Sequence, residues 1–176
     1  MTLEERITST IRDVPNFPKE GILFKDITPI MMDSKLSNDI LDHLVNEFKD
    51  KSIDVVAGIE SRGFLFGYPL AMRLGLPFVL IRKKGKLPYE KISHSYDLEY
   101  GSATIEMHTD AILPNQRVLI HDDLLATGGS AEAAATLVKK SGGEVAAFSF
   151  LVSLDFLNGS EKLKTFSDKI VNLVKF

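Results

Sequence analysis

No cysteine occurs among the 176 residues, which excludes disulfides and thiolate metal sites and permits a reducing compartment without proving one. Long apolar runs are missing as well. Nowhere do about 18 hydrophobic residues follow one another, and the opening MTLEERITST lacks the apolar core of a secretion signal. A soluble, cytoplasmic chain with no membrane partner is therefore expected. Positive charge is not in excess: a formal net charge of −3 argues against a protein that coats nucleic acid through a broad basic surface. Repeats, low-complexity tracts and dividing linkers are also absent. With 44% hydrophobic and 26% charged residues, the length fits one globular domain, 1–176, under the usual ~100–200 residues per domain.

The apolar residues that are present follow two periods. Leu3, Ile7, Ile11 and Val14 recur at helical spacing and predict an amphipathic helix over 2–13, stopped by Pro15. Thr28-Pro29 reads as an N-cap followed by proline at the first helical position. Ile40, Leu41, Leu44, Val45 and Phe48 mark a helix over about 37–49. IDVVAGI, then FLFGYPLAMRL ended by Gly75, then PFVLI, alternate as strand, helix and strand. RVLIH (117–121) is another buried-type strand, followed by a helix over 130–140 that ends at Gly142-Gly143 with lysines in its last turn, and then by the strand EVAAFSFLV. Apolar strands separated by helices predict an α/β fold with a mostly parallel central sheet flanked by helices. Segment 82–108 breaks the pattern. It begins with five cations against one anion between Arg82 and Lys91 and later alternates as ATIEM, predicting a flexible loop that returns as antiparallel strands.

The stretch VLIHDDLLATGGS (118–130) runs from aliphatic residues into two carboxylates and then into a turn with little side-chain bulk. In open α/β sheets ligands sit beyond the carboxyl ends of the strands, and residues 122–129 fall there. Ala126, Gly128 and Gly129 clear space for backbone N–H groups to close on an anion, and Thr127 and Ser130 add hydroxyls at the positive end of a helix. Neither G-x-x-x-x-G-K-[ST] nor G-x-G-x-x-G is present. Asp122 and Asp123 beside an anion site would repel the ligand unless they reach its hydroxyl groups or share a cation such as Mg²⁺ with it, as a sugar phosphate allows. The alternative is an Asx-turn and cap, with the glycines serving geometry alone.

This stretch resembles the phosphoribosyl-diphosphate (PRPP) motif of the type I phosphoribosyltransferases, which orotate and xanthine transferases, PRPP synthetases and some transcriptional regulators share. FPKEGILFKDITPIM (17–31), AGIESRGFLFG (57–67), LIRKKGKLP (80–88), YDLEYGSA (96–103) and LVSLDFLNGSEKL are similar to the adenine phosphoribosyltransferase family, in the same order and over nearly the whole chain. The resemblance implies the type I fold with a small hood formed by residues 1–33. It also implies an Mg²⁺-dependent, homodimeric enzyme of purine salvage that converts adenine and PRPP to AMP and pyrophosphate.

Carried onto this chain, the family's pattern has Ala126, Thr127, Gly128, Gly129 and Ser130 cradle the 5′-phosphate. Asp122 and Asp123 hold the ribose hydroxyls and Mg²⁺, directly or through water. Arg62, Arg82, Lys83 and Lys86 neutralise pyrophosphate, while Lys84 and Lys91 read as solvated. Phe24 stacks on the purine, the backbone of Leu23 and Lys25 reads its edge, and Leu154 closes the other ring face; the other reading of Phe24 is a packed core ring. Glu99 is either the carboxylate that assists proton transfer at the base or a surface carboxylate. Tyr96 and Tyr100 could cover the site. His121 stands where the family more often has valine and is expected to be packed, facing away from Asp122. Ser153 departs from the acidic residue common before the leucine corresponding to Leu154. A regulatory PRPP sensor and a transferase for another base remain as alternatives.

Overall fold

The computed structural model describes residues 1–98 and 101–176, which divide into two compact units, Met1–Glu47 and Phe48–Phe176. In the smaller unit, helix α1 (Leu3–Thr10) begins at a capping box in which the Thr2 hydroxyl accepts the Glu5 N–H and the Glu5 carboxylate accepts the Thr2 N–H. It stops before the expected residue 13. Residues of β1 (Arg12–Pro15) instead pair antiparallel with β2 (Leu23–Asp26), joining Asp13 to Lys25 and Val14 to Phe24. Strand pairing thus overrides the helical spacing of Val14. The next helix, α2 (Thr28–Met32), carries Thr28 inside its first turn rather than as cap. Asp26 performs the capping role, accepting both the N–H and the hydroxyl of Thr28. Helix α3 (Ser34–Phe48) follows, starting three residues before the expected position.

The larger unit holds a seven-stranded sheet. Five strands run parallel in the order β4-β3-β7-β8-β9, from β3 (Val55–Ile59), β4 (Phe78–Lys83), β7 (Arg117–Leu125), β8 (Glu144–Ser153) and β9 (Ile170–Lys175). Beyond β4 lies an antiparallel hairpin, β5 (Lys91–Asp97) and β6 (Ser102–His108), with β5 at the edge. The expected antiparallel return of segment 82–108 is this hairpin, and its strands β5 and β6 take up Lys91–Asp97 and Ser102–His108. Strand β3 is buried at every position, as a central parallel strand covered on both faces requires.

Helix α4 (Gly63–Leu74) ends at Gly75, whose φ of 68° supplies the left-handed cap that a side chain disfavours. Helix α5 (Gly129–Lys140) packs Ala131, Ala133, Ala134 and Ala135 against the sheet. These small residues keep it close to a core built on Val118, Ile120, Phe148 and Phe150. Each large aliphatic side chain buried there contributes ~1.5–3 kcal/mol. The short helix α6 (Gly159–Leu163) anchors Leu163 in the same core.

The order of the parallel strands reverses at β3. The chain moves from β3 to β4 on one side and later returns to lay β7 on the other. The crevice beyond the carboxyl ends of β3 and β7 is the position where this class of sheet binds ligands.

Candidate active site

Strand β7 does not stop at His121. It continues through Leu125 because β8 stays in register beside it, pairing Asp122 with Phe150 and Leu124 with Val152. The acidic pair thus lies within a strand rather than at the start of a loop. A cavity of about 460 Å³ opens there, walled by Asp122, Asp123 and Ala126 from the end of β7 and by Glu60, Ser61 and Arg62 from the end of β3. Lys83, Tyr96 and Ser130 also lie on its wall. A smaller hollow of about 80 Å³ adjoins it, lined by the turn Ala126–Ser130 together with Asp122, Leu124 and Leu125 of β7. Gly128 has φ 82° and serves as N-cap of α5, so the turn ends on the positive end of a helix of 12 residues.

The two aspartates occupy different electrostatic settings. Asp123 is buried and accepts a 2.6 Å hydrogen bond from Arg62 Nε. Asp122 faces the cavity with part of its surface, and its Oδ1 accepts the Asp123 N–H at 2.8 Å. Burial first, and the neighbouring Asp123 carboxylate second, push the Asp122 carboxyl well above the usual carboxylate range, with Arg62 opposing the shift. A carboxyl held in this way favours hydroxyl partners or a cation. Gly63, the first residue of α4, lets the helix end close on this pair. A Cβ there would stand 2.8 Å from the His121 carbonyl oxygen and 3.1 Å from Asp122 Oδ1.

The basic residues separate into two groups. Arg62 and Lys83 reach the cavity wall. Arg82 and Lys86 lie off it: Arg82 donates from Nε to Glu60 at 3.1 Å and from a terminal nitrogen to the Lys86 carbonyl at 3.0 Å. Glu60 also accepts the Lys83 N–H at 2.9 Å, and buried Glu106 accepts the Gly85 N–H at 2.9 Å, so two carboxylates hold the basic turn. The Glu60–Ser61 peptide is cis. Tyr96 projects from the hairpin, and its hydroxyl lies 3.0 Å from that of Ser130.

Leu154 lies just past β8, its N–H bonded to the Leu125 carbonyl at 2.8 Å. Ser153, in place of the acidic residue, donates to Asp155 at 2.6 Å. Leu23, Phe24 and Lys25 belong to β2 of the smaller unit, where Phe24 meets Phe17 edge-on at 5.2 Å and Lys25 pairs with Asp13 at 2.7 Å. Glu99 and Tyr100 lie outside the described residues. His121 is fully buried, with Nδ1 3.2 Å from the Ser149 hydroxyl.

Two contributors escape sequence reasoning. Glu60 had a signal, since it directly precedes Ser61-Arg62 at the end of a strand. Glu106 had none, because what it does depends on a contact remote in sequence.

A phosphoribosyl transferase domain is matched over residues 26–174. The chain belongs to the phosphoribosyltransferase family. Within it, the adenine phosphoribosyltransferase of Cytophaga hutchinsonii is 52% identical over 174 residues, covering 99% of this chain and 96% of that protein. The crystal structure of the adenine phosphoribosyltransferase of Thermoanaerobacter pseudethanolicus superposes with a TM-score of 0.95 at 50% identity, over 99% of this chain and 100% of that one. The Saccharomyces cerevisiae adenine phosphoribosyltransferase, solved with an imino-altritol bisphosphate and adenine, gives 0.90 at 41% identity, over 97% and 98%. In this phosphoribosyltransferase the turn beside the acidic pair lies between strand β7 and helix α5. Among the described residues no helix is long and apolar enough to cross a membrane.

Proposed function

We propose that this phosphoribosyltransferase uses adenine, transferring the ribose 5-phosphate of PRPP to N9 and giving AMP and pyrophosphate. One observation carries the reading. An acidic pair shares one cavity with two cations, Arg62 and Lys83, and adjoins the glycine turn on the α5 terminus. That combination suits a donor with a phosphate at C5, hydroxyls on its ring and pyrophosphate at C1. The full-length similarity to adenine phosphoribosyltransferases supports the choice of base.

In this reading the turn Ala126–Ser130 holds the 5′-phosphate through backbone N–H groups and the hydroxyls of Thr127 and Ser130. Asp122 and Asp123 take the ribose hydroxyls. Pyrophosphate leaves C1 with the bonding electron pair, N9 of adenine forms the new bond to C1, and the N9 proton is lost. Positive charge builds on the ribosyl carbon meanwhile, and the carboxylates favour it. Arg62 and Lys83 receive the departing charge, with Arg82 and Lys86 supporting the turn beside them. Glu99 is proposed for the proton and Phe24 as the stacking partner of the purine. The acidic pair also fits Mg²⁺, which needs one or two carboxylates plus ligand oxygens, and the raised affinity of Asp122 for a proton is what an approaching cation would relieve. When bound there, Mg²⁺ supplies neutralising charge for pyrophosphate.

A cytoplasmic homodimer is part of the same proposal. Leu65, Tyr68 and Met72 project from one stripe of α4 at 44%, 53% and 64% exposure, an apolar face suited to a second copy. The deciding experiment incubates the protein with PRPP, Mg²⁺ and adenine, hypoxanthine, guanine, xanthine or orotate in turn. Adenine should be preferred. Preference for another base, or no product with any, refutes the assignment.

A further inference from the structure

We propose that Gly159 is a positioning residue for the phosphate-binding turn, acting through the backbone of Ala126, Thr127 and Gly128. The inference rests on the reading above that this turn holds the 5′-phosphate. Gly159 lies 29 residues beyond the end of the motif at Ser130, in the turn that opens α6, and it is buried. A methyl group built on it would fall on the Ala126 carbonyl oxygen, inside any permitted contact. The same methyl would stand 2.9 Å from the Gly128 nitrogen and 3.0 Å from the Thr127 carbonyl carbon. The approach is reciprocal, since a methyl on Gly128 would stand 2.5 Å from the Gly159 carbonyl oxygen. All these neighbours are main-chain atoms, so none can rotate aside as a flexible side chain could.

The relative anchoring of the two segments decides which one yields. The Gly159 segment is tied at both ends, by the bond from Leu154 N–H to the Leu125 carbonyl at 2.8 Å and by Leu163, fully buried in the core. The facing turn borders the cavity at Ala126 and exposes Thr127 to solvent. Added bulk at 159 is therefore relieved by movement of the turn, and with it the cradle for the phosphate. The bare backbone of Gly159 is the stop that fixes how far the turn can recede.

The test compares wild type with Gly159→Ala in full-length protein, by steady-state kinetics and by direct titration with ribose 5-phosphate and with pyrophosphate. Displacement of a positioned group by ~1 Å can cost ~10²-fold, so the KM for PRPP should rise roughly 10- to 100-fold, with ribose 5-phosphate weakened in parallel. The KM for adenine and the affinity for pyrophosphate should stay within about twofold, as independent sites do. An unchanged KM for PRPP, or equal weakening of all ligands, overturns the positioning role. Wild-type protein that fails to bind ribose 5-phosphate refutes instead the assignment of the turn, a separable result. If the variant does not fold, amide exchange on wild type decides. Ribose 5-phosphate should protect residues 158–160 together with 126–130, and protection confined to 126–130 overturns the proposal.

Discussion

Replacing His121 with valine should remove an acid sensitivity that the fold carries beside its own active site. The imidazole is fully buried, bonded through Nδ1 to Ser149, and its Nε2 has no hydrogen-bond partner among the described residues. Burial pushes its pKa down from the ordinary 6.5 to about 4. The folded protein thus resists a proton that the unfolded chain accepts. Above pH 6.5 both states are neutral at this position and the histidine contributes no pH dependence. As pH falls from 6.5 towards 4 the unfolded state gains the proton first, so stability is lost across that window, and below about 4 the loss levels off. A shift of this size corresponds to about 3 kcal/mol, at 1.36 kcal/mol for each pH unit. Urea unfolding of wild type and His121→Val at intervals from pH 7.5 to pH 4 measures it. The gap between the two stability curves should shift by about 3 kcal/mol in favour of the variant as pH falls. Carboxylates are common to both proteins and cancel in the difference. Turnover should be nearly unchanged at neutral pH, because the ring packs on the α4 face of the sheet, beside Gly67, and does not line the cavity. Parallel stability curves would refute the burial argument, and a large loss of turnover would make the histidine part of the site.

Three other substitutions test the site from different sides. Asp122→Ala combined with Asp123→Ala should abolish PRPP binding or turnover, measured by titration and product formation, since it removes both carboxylates proposed for the ribose hydroxyls and breaks the 2.6 Å pair of Arg62 with Asp123. Phe24→Ala should raise the KM for adenine roughly 5- to 150-fold, the equivalent of ~1–3 kcal/mol of base stacking, with far less effect on the KM for PRPP. Equal effects on both would place the base elsewhere. Gly63→Ala should lower kcat/KM by up to ~10²-fold by pressing on His121 and Asp122, and a fully active variant would show that the acidic pair tolerates movement of the α4 terminus.

The parallel core was legible because its strands are short apolar runs and its helices end on glycine. Gly75 and Gly142 both adopt positive φ where those ends were expected. Boundaries set by a distant partner were not legible. Val14 continues a helical stripe in sequence, yet it pairs with Phe24 across a two-stranded sheet. Asp122 and Asp123 look like a loop after an oily strand until β8 is laid alongside to hold them extended. Strand β9 escaped notice because its mixed sequence, IVNLVK, gains its meaning only from pairing with β8. The motif residues themselves were readable, as local bulk and charge determine where an anion can approach. Their fixing points, Glu60, Glu106 and Gly159, lie on other segments.

The hairpin β5–β6 meets the rest of the sheet through the pairs Arg82 with Glu106 and Lys83 with Ile105 and a bond from the Lys84 N–H to the Thr104 carbonyl at 3.0 Å. It carries Tyr96 to the cavity, yet none of the pairings among the five parallel strands passes through it. A change on the solvent side of β5 therefore leaves the register of the five parallel strands untouched. Selection is thereby free to retailor the awning over the reaction without disturbing the masonry that supports it.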